Sequence, residues 1–276
     1  LIPEIISGYF TVEWQQIVLL NVLCVAVASG ALSPLIVSNK MGFFSDAIAH
    51  STLAGVALGL LLGINPVMSM IGAGVIVALL IAAMRQRSGL SVDALLGVAL
   101  AGSLAIGVIL YHFASGFADM HAYLFGRLTF LDAADLLALG GAALLSLIVV
   151  GLYSNQFALL AVSRPLARSR GVHVSRYDFV LIVLLGLVVS VCVRAVGLLL
   201  VNALMIIPAA TSKNFARSYR GMCWGALVVS VVASLGGLFA GGVLSIPEGP
   251  AMVVLGVALF SVSYFWRMAT HGSGDV

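Results

Sequence analysis

The chain is a succession of long apolar runs separated by short polar breaks, a pattern that excludes an ordinary soluble fold. The runs cover roughly 15–37, 44–64, 66–84, 93–113, 133–153, 178–195, 198–212, 221–243 and 249–266. Crossing the hydrocarbon of a bilayer takes about 20 residues of helix. Most of these runs approach or exceed that length, and the seventh, confined between Arg194 and Lys213, does not. Only 8% of the 276 residues are charged, against roughly a quarter in soluble domains, so too few charged side chains exist to cover a water-facing surface. Membrane β-strands alternate apolar and polar residues, whereas these runs are continuously apolar. The expected fold is therefore all-α: a polytopic membrane protein with eight or nine transmembrane helices, one of them short or broken, forming a single transmembrane domain over 1–276.

The distribution of basic residues predicts an orientation. Of 13 Lys and Arg, all but Arg127 and Arg194 fall in alternate breaks, around Lys40, Arg85 and Arg87, Arg164 to Arg176, Lys213 to Arg220, and Arg267. Loops rich in Lys and Arg stay in the cytoplasm, which places the N-terminus outside and the C-terminus inside. Two breaks are long. Residues 114–132 face outside, and the basic segment 154–177 faces inside. Cys24, Cys192 and Cys223 stand singly in apolar runs, with no CxxC pair, and imply neither a disulfide framework nor a thiolate metal site.

Several polar residues interrupt this background. In "FFSDAIAHS", Asp46 and His50 stand at i and i+4 and share one helix face. One reading is a helix start, with Ser45 as N-cap and Asp46 in the first turn. The other is part of a metal or proton site, because ionisable groups inside spans are costly and usually face a cavity. Carboxylate oxygen with imidazole suits Mn²⁺, Fe²⁺ or Zn²⁺. Two ligands do not close a site, so a second copy of the chain would complete it, or the site serves only transit. Asp119 and His121 in "ADMHAYLFG" offer a possible outer capture point for a cation, with solvated loop polarity as the alternative.

In "SRPLARSRGV", Pro165 can open a helix, Ala167 is small and Gly171 allows a sharp C-cap. A short helix of this kind could dock into a partner's groove. In "GLLLVNALMIIPAATSKNFAR", Pro208 signals a discontinuous span or a simple kink. Gly236, Gly237, Gly241 and Gly242 suit close helix packing. No GxxxxGK[ST], HExxH or GxSxG motif is present. The chain is expected not to be an enzyme, and ATP-driven transport would need its ATPase on a separate subunit.

Together these segments resemble the permease subunit of the ABC-3 family, the zinc, manganese and iron(II) ABC importers, with zinc-type permeases most similar. The resemblance rests on Met41–Gly59, Ser91–Leu110, Ala122–Gly126, Val196–Ala216 and Ile246–Pro250. In the last of these blocks the family often carries an acidic residue where this chain has Ser245. The resemblance implies two copies of the permease, two copies of an ABC ATPase and an extracytoplasmic metal-binding protein, in the lipid of a bacterial cytoplasmic (inner) membrane. No nucleic acid is implied, and no cofactor beyond the transported zinc or manganese ion. It strengthens the metal reading of Asp46 and His50, and makes 161–172, with Pro165, Ala167 and Gly171, the expected ATPase-coupling segment. A proton- or sodium-coupled secondary transporter using Asp46 and His50 is the alternative class.

Overall fold

The computed structural model describes residues 12–87, 90–113, 126 and 131–271. These form eleven helices: α1 (Glu13–Ser38), α2 (Phe44–Leu62), α3 (Pro66–Arg87), α4 (Val92–Phe113), α5 (Ala133–Leu152), α6 (Ser154–Val162), α7 (Arg164–Ser169), α8 (Val174–Val196), α9 (Leu198–Lys213), α10 (Tyr219–Leu244) and α11 (Glu248–His271). No strand occurs among the described residues. Among the described residues, eight helices are long and apolar enough to cross a membrane: α1 to α5, α8, α10 and α11. They follow the apolar runs closely, because bilayer thickness and helical rise leave little freedom in span length.

α9 is the short one. Its 16 residues rise about 24 Å at 1.5 Å per residue, less than the roughly 30 Å hydrocarbon layer. Pro208 nevertheless lies inside a continuous helix. Proline withholds an N–H and crowds the preceding turn, and Ser33 of α1 repairs the ladder there. The Ala209 amide donates to Ser33 Oγ at 2.9 Å, and the Ser33 hydroxyl is 3.4 Å from the Ile206 carbonyl that it donates to. The discontinuity expected at Pro208 falls instead at Gly197, the single residue between α8 and α9. Gly197 has φ 94° and ψ 158°, a region essentially restricted to glycine.

The chain forms two compact units. One comprises the described parts of Leu1–Val37, Leu128–Leu147 and Ala203–Val276. Small residues bring its helices together: Gly30 of α1 lies where a Cβ would meet the Leu227 Cα at 2.9 Å. Gly237 abuts the Met252 backbone, as the glycine-rich sequence of α10 suggested. Beside Gly30, the Ser230 hydroxyl donates to the Ala26 carbonyl at 2.8 Å and meets Ser29 Oγ at 3.1 Å. Such bonds satisfy polar groups that lipid cannot.

The second unit comprises the described parts of Ser38–Arg127 and Ile148–Asn202. Here α2 packs against α3, α4 and α8. The basic segment after α5 is ordered into two short helices, α6 and α7, seated near the start of α8.

Candidate metal site and coupling segment

α2 is packed almost all round. From Phe44 to Ala57 every residue is buried except Asp46 and His50, which are half-buried. The i, i+4 spacing therefore becomes one narrow polar opening on an otherwise sealed helix. Asp46 does lie in the first turn, but Ser45 is not its cap. Phe43 occupies the N-cap position without a side-chain bond, and Ser45 Oγ is buried without a hydrogen-bond partner.

A third polar residue joins this pair. Asn202, on the first turns of α9, donates through Nδ2 to Asp46 Oδ2 at 2.8 Å. Only the NH₂ end of the amide can donate to a carboxylate, which leaves Asn202 Oδ1 as a free acceptor. That oxygen and His50 Nδ1 are both buried without a hydrogen-bond partner. With its proton on Nε2, neutral His50 presents a lone pair at Nδ1. The cluster thus offers carboxylate, amide and imidazole acceptors facing too few donors, the electronic profile of a cation site. Asn202 was missed in the sequence, although it is a lone amide in the apolar run 195–210. Among the described residues no group of three or more His, Cys, Asp or Glu gathers, so Asp46 and His50 stand as a pair.

The Gly197 break fixes where Asn202 arrives. Gly126, at φ 72°, sits where a Cβ would collide with the backbone of Ala195, Val196 and Gly197. Two glycines with positive φ thus let chain segments touch at the α8–α9 junction, and α9 starts from there toward Asp46. Asp119 and His121 lie outside the described residues.

The segment 161–172 has the local design its residues suggested. Ser163 Oγ caps α7, accepting from Leu166 N at 3.5 Å, and Pro165 lies in the first turn. At the other end Gly171 adopts φ 76°. The Val172 amide donates to the Ala167 carbonyl and the Gly171 amide to the Arg168 carbonyl, both at 3.0 Å, a Schellman closure. Ala167 is fully buried, whereas Leu166, Arg168 and Arg170 are exposed. The small residue therefore seats the helix on its own protein, and its neighbours form the outward face.

Under α7 lies an ionic cluster. Arg164 reaches Asp178 of α8 through Nη1 at 3.2 Å and Nη2 at 3.4 Å. Arg85 of α3 lies 3.7 Å from the same carboxylate and donates to Met41 Sδ at 3.5 Å. One buried aspartate thus ties α7 to two spans.

The fold is that of a multi-pass helical membrane protein, with a half-buried polar cluster on an otherwise buried span. The chain belongs to the ABC 3 transport family, whose model matches residues 11–267. It is 31% identical over 265 residues to the manganese import system permease protein ScaB of Streptococcus gordonii, covering 96% of this chain and 95% of that protein. It is 30% identical over 250 residues to the high-affinity zinc uptake system membrane protein ZnuB of Haemophilus influenzae, covering 90% and 96%. Among solved structures, PsaBC from Streptococcus pneumoniae in complex with Fab is similar, with TM-score 0.83, 29% identity and 96% coverage of both chains.

Proposed function

We propose that this chain is the membrane-spanning permease subunit of an ABC importer for a divalent transition metal, in the bacterial cytoplasmic membrane. Zinc was the first expectation and manganese the second. Relatives named for each metal match this chain comparably well, and carboxylate, amide and imidazole donors suit both ions. The ion is the substrate, not a resident cofactor.

The observation that carries this reading is the opening on α2. The half-buried positions along its packed stretch are a carboxylate and an imidazole, and Asn202 orients the carboxylate. An ion leaving water exchanges part of its hydration for these donors. A pair of protein ligands, supplemented by a second copy of the chain, holds it too weakly to trap it. Two copies of the permease, two ATPase subunits and an extracytoplasmic metal-binding protein complete the importer. α7 presents Leu166 and Arg170 to the ATPase, and Gly171 closes the helix behind that face.

The test is uptake of radiolabelled zinc and manganese into proteoliposomes holding permease, ATPase and binding protein. Asp46→Ala and His50→Ala each abolish uptake while the ATPase still co-purifies, and the double variant loses no more, because both residues act on one ion. Near-normal uptake in the double variant would falsify the site.

A further inference from the structure

A pocket of about 150 Å³ opens between α3, α7 and the start of α8, room for several waters. Its charged lining is Arg85, Arg164, Arg168 and Asp178, three guanidiniums around one carboxylate. Asp178 is engaged by Arg164 and Arg85, so the balance remains positive. The Arg85 side chain is only 7% exposed, yet its Nε has no hydrogen-bond partner and its Nη2 has only the 3.7 Å ion pair with Asp178. Buried guanidinium donors without acceptors are costly. The start of α8 also borders the pocket through Val174 and Ser175, and its N-cap residue, His173, makes no side-chain capping bond. A helix N-terminus of this kind favours negative charge.

The pocket has a second wall of different character. Ala82 of α3 and Phe179 and Ile182 of α8 line it, and Phe179 is 39% exposed on a membrane-spanning helix. An anion with an apolar continuation matches both walls. We propose that this pocket binds the phosphate group of an anionic phospholipid, with the headgroup oxygens on the arginines and the lipid body along Phe179. Tetrahedral phosphate oxygens suit several guanidinium forks at once, and basic pockets between spans at the cytoplasmic side are recognised lipid headgroup sites. Such a lipid would complete the seat of α7. The proposal requires that α3 and α8 span the membrane and is independent of which metal is carried.

The complex of permease and ATPase is placed in nanodiscs of phosphatidylcholine and phosphatidylglycerol, released, and the retained lipid measured by native mass spectrometry. Retention of phosphatidylglycerol in preference to phosphatidylcholine is expected. Arg168→Gln, on an exposed side chain, weakens that retention roughly fivefold, the scale of one basic residue against an anionic headgroup. Arg176→Gln, exposed in the same segment but outside the pocket lining, leaves it unchanged. Inorganic phosphate is the second probe, and its competition with phosphatidylglycerol supports a shared phosphate site. Phosphate binding without phosphatidylglycerol retention overturns the lipid as its source. Equal losses in both arginine variants would mean diffuse surface attraction, and no lipid preference at all would mean no site. Either outcome overturns the proposal. Since the readout is retained lipid, a failed uptake experiment leaves this test intact.

Discussion

The Asp46 cluster and the Asp178 cluster lie in the same compact unit, and each centres on one aspartate. Asp46 receives a bond from Asn202, while His50 Nδ1 and Asn202 Oδ1 remain unpaired, so its surplus is of acceptors. Asp178 faces Arg164 and Arg85, with Arg85 Nε lacking a hydrogen bond and Nη2 held only by the 3.7 Å ion pair, so its surplus is of donors. The first cluster is half-open and the second is largely buried. The ligands proposed for the two clusters follow the sign of the unmet hydrogen bonding, a cation at Asp46 and an anion beside Asp178. Burial indicates which of the two the fold depends on.

Substituting the two aspartates in parallel would break this contrast most directly. Asp178→Ala leaves Arg85 buried beside a lost partner, and breaking a buried pair costs about 3–5 kcal/mol. Asp46→Ala removes one bond from a half-open carboxylate and costs about 1.5 kcal/mol, while uptake disappears. Thermal unfolding of both variants in detergent measures the difference. Equal destabilisation would show that Asp46 is structural as well.

The next effect concerns the junction that delivers Asn202. Gly197→Ala forces a non-glycine residue into a glycine-only region, at a cost of about 1–3 kcal/mol. It also disturbs the contact with the Gly126 backbone, so the first turn of α9 shifts away from Asp46. Uptake, normalised to folded protein, is expected to fall by more than the stability loss explains. Unchanged normalised uptake would separate the junction from the site.

A smaller effect isolates the amide. Asn202→Ala leaves Asp46 without its donor and weakens metal affinity roughly tenfold, as losses of supporting partners around metal ligands do. Competition of unlabelled against labelled ion in the uptake assay measures it. An unchanged affinity would reduce the cluster to Asp46 and His50 alone.

The spans were legible because membrane thickness acts on sequence directly, and the apolar runs had no alternative use. Asp46 and His50 stood out as candidates for the same reason: an ionisable pair within a span is conspicuous. Asn202 was hidden because its partner is 156 residues away, and no local pattern joins α2 to α9. The break lies away from Pro208, one of the two readings there, for a related reason. Proline is a strong local signal, but Ser33, from another helix, overrides it. Gly197 carries the break through backbone geometry that a sequence shows only as another glycine. Ala167 is visible in the sequence only as a small residue of a candidate docking helix, and its burial within the protein comes from packing that no local pattern shows. Asp178 lay at the expected edge of a span, and its two arginines come from separate segments.

Ser33 provides the balanced case against which both clusters can be judged. Its hydroxyl accepts from the Ala209 amide and donates to the Ile206 carbonyl, so neither donors nor acceptors are left over. Ser33→Ala strands that amide beside Pro208 inside a buried helix contact. The loss is expected to be about 1 kcal/mol, typical of one intramolecular hydrogen bond. Uptake per folded molecule should stay at the wild-type level, because a satisfied group has no capacity left for a ligand. A hydrogen-exchange measurement on α9 should show faster exchange at Ala209 in the variant, with the Asp46 face of α2 unaffected. If uptake falls with no change in the folded fraction, then the continuity of α9 through Pro208 is itself part of the transport path, and satisfaction of hydrogen bonds ceases to separate structural from functional polar groups in this protein.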